Sequence, residues 1–211
     1  MIRITDVRRK GRTDFEVCSE TATEFIAGQK FLDQNGIVPG AEFEEEDFEQ
    51  IKAKAQLIFG IRTALSILER KDRSRKELYR KLREKGIEDD VAQMTVEYMA
   101  NKGYQDDLRY AVRLAELNAG LYGKRRVEEL LYHHGIDRET IRTVIDEVFR
   151  DEAAEEEKID AILSKAAAGK DISDPAVRNK LYAKLARLGF EPARISAALR
   201  RAEERRKDEI G

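Results

Sequence analysis

Apolar residues recur at three- and four-residue intervals along most of this chain, with polar and charged residues between them, the mark of amphipathic helices. Phe48, Ile51, Ala55 and Ile58 keep this spacing, and Ile61, Leu65 and Leu68 continue it beyond Gly60, a possible break. A phrase then occurs three times: a basic helix closing on Leu-x-x-x-Gly-(Ile/Phe), a short polar step, and another amphipathic helix. Its copies end at Leu82 to Ile87, Leu131 to Ile136 and Leu185 to Phe190. The glycines Gly86, Gly135 and Gly189 stand 49 and 54 residues apart. Self-similarity near fifty residues predicts a helical array.

Start and stop signals divide each unit into three helices. Ser74 with Glu77 three residues on is a capping box, and Gly86 takes the left-handed position past the helix end. Asp89 or Asp90 caps a helix carrying Val91, Met94, Thr95 and Tyr98, closed by Gly103. In the second unit Asp106 or Asp107 opens a helix with Leu108, Ala111, Val112, Ala115 and Leu117. Lys124 to His134 is the middle helix, and Asp137 caps the last. The third unit begins near Ala153, and Ser173-Asp174-Pro175 and Glu191-Pro192 open its later helices with proline at the first helical position. Leu78, Val127 and Leu181, with Leu82, Leu131 and Leu185, occupy corresponding places and are the predicted core of each unit.

The first forty-odd residues read differently. Ile2, Ile4, Phe15 and Val17 sit at strand spacing on either side of Arg8-Arg9-Lys10-Gly11-Arg12, where Gly11 suits a turn. This predicts a β-hairpin, with a third strand near Thr23 to Ile26, then a helical piece from Gln29 to Asn35. The expected fold is therefore mostly α: three tandem three-helix repeats forming an elongated curved array, with a small N-terminal β-hairpin and lead-in helix. The expected segments are 1–45 (hairpin and short helix), 46–103 (lead-in helix and first repeat), 104–150 (second repeat) and 151–211 (third repeat).

Composition fits that picture. Of 211 residues, 41% are hydrophobic and 39% charged, which suits surface-rich helices with narrow apolar stripes. Net charge is only −2, but it is unevenly placed: Glu42 to Glu49 is an acidic block, while Arg70 to Lys85 holds nine Lys/Arg against three Asp/Glu. Such asymmetry bears on partners more than the total does. A lone cysteine, Cys18, has no internal disulfide partner. Without an apolar leader or a run long enough to span a bilayer, a soluble, cytoplasmic protein without membrane partners is expected.

Three runs carry a family resemblance. Gly103-Tyr104-Gln105-Asp106-Asp107-Leu108-Arg109-Tyr110-Ala111, then Gly123-Lys124-Arg125-Arg126-Val127-Glu128-Glu129-Leu130-Leu131, then Gly135-Ile136, closely resemble the RecX signature. Ser74 to Gly86 resembles the family's first repeat and Lys180 to Phe190 its third, so the resemblance covers roughly residues 61–202. Gln105 departs from the pattern, since many relatives have an aliphatic residue there. The resemblance implies an all-helical repeat protein that binds RecA–DNA filaments, lies in their groove, and inhibits strand exchange, ATP hydrolysis and co-protease activity. It thereby implies a role in regulating homologous recombination, DNA repair and the SOS response.

The residues themselves offer cations rather than catalytic groups. Arg73, Arg75, Lys76 and Arg80 cluster around the first middle helix, Arg109 and Arg113 follow Asp106-Asp107, and Lys124, Arg125 and Arg126 open the second middle helix. These nine are the candidate partner-binding residues, facing partner carboxylates or phosphates. A solvated face balanced by Glu77, Glu84, Glu128 and Glu129 accounts for the same pattern. Helix-start N–H groups after Gly123, beside three cations, favour an anionic contact. Asp106-Asp107 is better read as capping than as a paired-carboxylate site, because neighbours on a helix point about 100° apart. His133 and His134 are consecutive and do not share a face as metal ligands do. Of Tyr98, Tyr104, Tyr110, Tyr122 and Tyr132, most are expected in packing, with one or two at an interface. No phosphate loop or nucleophile–base arrangement is apparent, so neither cofactor nor enzymatic activity is expected. The function expected is a monomeric modulator of the RecA filament with possible direct DNA contact; the rival class is a DNA-binding regulator with a helix-turn-helix in the second unit.

Overall fold

The computed structural model describes residues 1–210, with side chains through Arg206. The chain forms two compact units, Met1–Asp106 and the residues from Asp107 onward.

The first unit opens with an antiparallel sheet of order β3-β2-β1-β4, made of β1 (Ile2–Lys10), β2 (Asp14–Ser19), β3 (Thr23–Gly28) and β4 (Glu42–Phe43). The hairpin and third strand follow the alternation; β4 is only two residues long, too short for alternation to reveal. Helix α1 (Gln29–Gln34) lies between β3 and β4. A hairpin needs an apolar partner to persist in water, and helix α2 (Glu45–Arg70) supplies it, with Phe48 and Ala55 joining Ile4, Val17, Phe25 and Leu32 in one core. Glu24 on β3 accepts from Lys52 on α2 at 2.9 Å, fixing the sheet to the helix. The acidic block acquires a structural role here, since Glu45, Glu46 and Asp47 occupy the first turn of α2, where the helix end is positive.

Helix α2 runs unbroken through Gly60, correcting the expected break there. A Cβ at Gly60 would sit 2.4 Å from Thr95 Oγ1, so the glycine serves close helix crossing instead. The far half of α2 is the first helix of the first repeat, packing Ala64 with Leu78, Leu82, Val91 and Met99 of α3 (Arg75–Glu84) and α4 (Asp89–Asn101). Helix α3 starts with the expected capping box: Glu77 N–H donates to Ser74 Oγ at 3.2 Å and Ser74 N–H to Glu77 Oε2 at 3.4 Å. At α4 the N-cap is Glu88, with no side-chain cap bond; Asp89 and Asp90 lie inside the first turn, so neither is the cap.

In the second unit, α5 (Asp107–Ala119), α6 (Lys124–His133) and α7 (Arg138–Val148) bury Tyr110, Ala115, Val127, Leu131, Val144 and Ile145. Helices α8 (Glu152–Ala167), α9 (Pro175–Arg187) and α10 (Pro192–Ile210) bury Ile159, Leu163, Leu181, Leu185, Phe190 and Ile195. Asp137 accepts from the N–H groups of Glu139 and Thr140, and Asp174 caps α9 ahead of Pro175. Two α5 residues placed on the apolar face by spacing, Leu108 and Leu117, are instead exposed at 49% and 70%. Tyr98, Tyr104 and Tyr132 are exposed too, correcting the expectation that most tyrosines pack; Tyr110 is buried and Tyr122 half-buried.

The repeated phrase has one physical meaning in all three copies. Gly86, Gly135 and Gly189 take φ of +80°, +82° and +88°, a conformation costly for residues with a Cβ. The chain then folds back so that the N–H after the glycine reaches the carbonyl of the phrase's leucine: Ile87 to Leu82 at 3.2 Å, Ile136 to Leu131 at 3.2 Å and Phe190 to Leu185 at 3.3 Å. This is a Schellman closure. It satisfies carbonyls at the helix end and returns an apolar side chain to the core, where Ile87, Ile136 and Phe190 are at most 6% exposed.

Candidate partner-binding surface

On α3, the apolar stripe of Leu78 and Leu82 faces the core, so Lys76 and Arg80, one turn apart, stand on the opposite face and are exposed. Arg75 is also exposed at the first helical position. Arg80 lies 3.6 Å from Glu84, which also accepts from Lys81 at 2.6 Å. Lys81 beside it, then desolvation acting in the opposite sense, set the Glu84 carboxyl below its ordinary value. These are exposed pairs and hold little stability. Arg73 is different: half-buried, 3.6 Å from Glu77, with its carbonyl accepting from Gln105 Nε2 at 3.2 Å. It braces the capping box rather than standing on an outward face. The family departure at Gln105 thus has a local use, tying the end of the first repeat to the start of α3. Arg83, left outside the candidate set, donates to the Ile87 carbonyl at 2.6 Å and so closes the helix end.

In the second unit Arg109 and Arg113 are exposed, one turn apart on α5. The start of α6 is not the open anion site its residues suggest. Gly123 N–H donates to the Leu188 carbonyl at 2.8 Å, and Arg125 N–H to the Gly189 carbonyl at 3.2 Å. The turn that ends α9 therefore caps α6, setting the negative end of one helix against the positive end of another. Of the amides expected to hold an anion, Arg125 N–H is engaged by the turn that ends α9 and Arg126 N–H donates to the Gly123 carbonyl at 3.1 Å. The approach is backbone against backbone: a Cβ at Gly123 would lie 2.6 Å from the Gly189 carbonyl, and one at Gly189 2.4 Å from Arg126 N and Cβ. The two repeats meet closely at this one point. Lys158 Nζ also reaches the Ala119 carbonyl and stacks over Phe149. Of the three cations, Lys124 is half-buried and 3.7 Å from Asp146, Arg126 pairs with Glu129 at 2.9 Å, and Arg125 is exposed.

In the third repeat cations of α10 are used internally. Arg194 on α10 meets Glu152, Glu155 and Glu156 on α8 at 3.0, 3.4 and 3.7 Å, Arg201 meets Glu156 and Asp160, and Arg205 meets Asp160 at 2.9 Å. Period alone hides this ladder, because it depends on which helices of a unit lie side by side. His134 Nδ1 shares a hydrogen bond with Tyr110 Oη at 2.8 Å. Among the described residues no group of three His, Cys, Asp or Glu side chains is placed to hold a metal ion. Nor is any helix among them long and apolar enough to cross a membrane.

Three-helix units closed by one glycine turn, with cations on outward faces of the first two, define a tandem helical-repeat protein. The family profile "RecX, first three-helix domain" matches residues 61–99. Regulatory protein RecX of Stenotrophomonas maltophilia is 36% identical over 141 residues, spanning 66% of this chain and 85% of its own length. The corresponding protein of Xanthomonas axonopodis pv. citri is likewise 36% identical over 141 residues, with the same coverage. This chain belongs to the RecX family. Its fold also matches a crystal structure of regulatory protein RecX, with a TM-score of 0.66 at 17% identity over 93% of this chain and 98% of the other. RecX from Lactobacillus salivarius aligns with a TM-score of 0.57 at 21% identity, over 69% of this chain and 96% of that one.

Proposed function

We propose that this protein is a negative modulator of RecA that binds RecA–DNA filaments and inhibits recombination, strand exchange and the ATPase and co-protease activities, lying in the filament groove. Membership of a family of regulatory proteins carries this reading, and the outward cations of α3, α5 and α6 support it. Several modest contacts on one chain act at high effective concentration, so no single tight site is required. The protein inhibits by favouring a filament geometry that resists growth, since a binder shifts states only through differential affinity. No catalytic step belongs to this reading, and a cytoplasmic monomer suffices for it.

The test compares filament disassembly in the presence of the protein and of its Lys124→Ala/Arg125→Ala/Arg126→Ala variant. The parent should speed loss of RecA from single-stranded DNA, and the variant should do so less while keeping its helical circular dichroism. Equal disassembly would remove those three residues from the surface. No disassembly with either, together with tight, sequence-dependent binding to bare duplex, would replace the reading with the helix-turn-helix regulator.

A further inference from the structure

The β1–β2 hairpin is unused by the surface described above, and its charge is one-sided. Val7 to Thr13 contains Arg8, Arg9, Lys10 and Arg12 and no carboxylate, and residues 8–13 are all exposed. Strand pairing continues to the Lys10–Asp14 pair, so the tip is a paired ribbon rather than a loose loop. The acidic block lies at the other end of β1, where Phe43 pairs with Ile2. Nine residues of strand separate the two ends by about 26 Å at roughly 3.3 Å per residue. The acidic end is explained by the first turn of α2. Nothing in the fold requires the basic one, where like charges crowd a turn.

Alternation along β1 decides what such a tip fits. Arg8 and Lys10 share one face, where Arg8 pairs with Asp6 at 2.7 Å and Lys10 with Glu16. Arg9 stands on the other face, opposite Phe15, and Arg12 lies in the turn. Arg9 Nη2 donates to the Arg12 carbonyl, and neither guanidinium has a carboxylate partner among the described residues. A flat acidic protein surface meets only one face of a ribbon. A duplex groove is walled by phosphates on both sides, and the major groove admits a two-stranded β-ribbon.

We propose that the tip of the β1–β2 hairpin is a sequence-independent contact for duplex DNA, entering a groove with Arg8 and Lys10 toward one phosphate wall and Arg9 and Arg12 toward the other. Phosphate contacts of this kind carry no base readout and are strongly salt-dependent. The contact goes beyond the RecA reading and requires no RecA, so either can fail alone.

The experiment is fluorescence anisotropy of two labelled duplexes of about 30 base pairs and unrelated sequence, titrated without RecA between about 50 and 200 mM salt. The parent should bind both alike. Arg9→Ala/Arg12→Ala should bind at least about fivefold more weakly at the lower salt, with the slope of log affinity against log salt reduced by about 2, near 0.9 for each phosphate no longer neutralised. Arg9→Lys/Arg12→Lys should restore both, which separates removal of charge from a disturbed hairpin. Unchanged binding by the alanine variant, or no duplex binding by the parent at the lower salt, overturns the proposal.

Discussion

The middle helices of the first two repeats end in the same way and begin differently. Helix α3 is capped by its own neighbour, Ser74, whose side chain and Glu77 satisfy each other's backbone N–H groups. Helix α6 starts at Gly123, has no side-chain cap, and is capped by the carbonyls of Leu188 and Gly189 some sixty-five residues later. One beginning is local and the other tertiary. The orphan N–H groups of a helix start must be met in either case, but only the tertiary solution couples one repeat to the next. A serine at the α6 start would restore a local cap and destroy the close approach that makes the distant one work.

Substitutions can break this contrast, and the largest effect tests what the repeats share. Leu131→Ala empties a fully buried position below the shared closure and should cost about 2–5 kcal/mol, read from a denaturant or thermal melt. An unaltered melt would mean that the second core does not depend on it. Next comes Gly123→Ala, whose Cβ meets the Gly189 carbonyl and the Phe190 amide with no flexible side chain to give way. It should cost about 1–3 kcal/mol, the range for overpacking, and speed amide exchange at Arg125 while leaving Glu77 protected. Equal protection at Arg125 before and after would refute the tertiary cap.

Ser74→Ala should cost about 1 kcal/mol and act on the first repeat alone, raising exchange at Glu77 and not at Arg125. The smallest effect separates neutral from charged local caps. The Thr140 hydroxyl, then its N–H, hold the Asp137 carboxyl below the ordinary 3.8, against a weaker opposing desolvation. A carboxylate with a depressed folded-state pKa stabilises fully above its unfolded value and loses that contribution as pH falls through the folded one. Acid titration should therefore loosen the start of α7 below pH 3.8, and Asp137→Asn should remove that dependence. The Ser74 hydroxyl itself does not titrate in that range.

The same contrast marks how far the sequence could be read. Features whose cause lies within a few residues were legible: the capping box at Ser74, the closures at Gly86, Gly135 and Gly189, the caps at Asp137 and Asp174, and the six paired core positions. Features whose cause lies across the fold were not. Gly60 reads as a break until Thr95 is found opposite it, and Gly123 as an anion site until α9 is found against it. Leu117 fits three-and-four spacing loosely but projects away from the stripe of Ala111 and Ala115, and a stricter projection at 100° per residue would have found it. Within the candidate surface, residue types and helices were legible. Arg73 as a brace and Lys124 and Arg126 as paired groups needed the partners Glu77, Asp146 and Glu129 in place.

The functional account rests most directly on the steady-state ATPase of RecA on single-stranded DNA, titrated with this protein. If, as proposed, a bound chain favours a filament geometry that resists growth, hydrolysis should fall at well under one copy per RecA protomer. A rate unchanged at stoichiometric excess would contradict it.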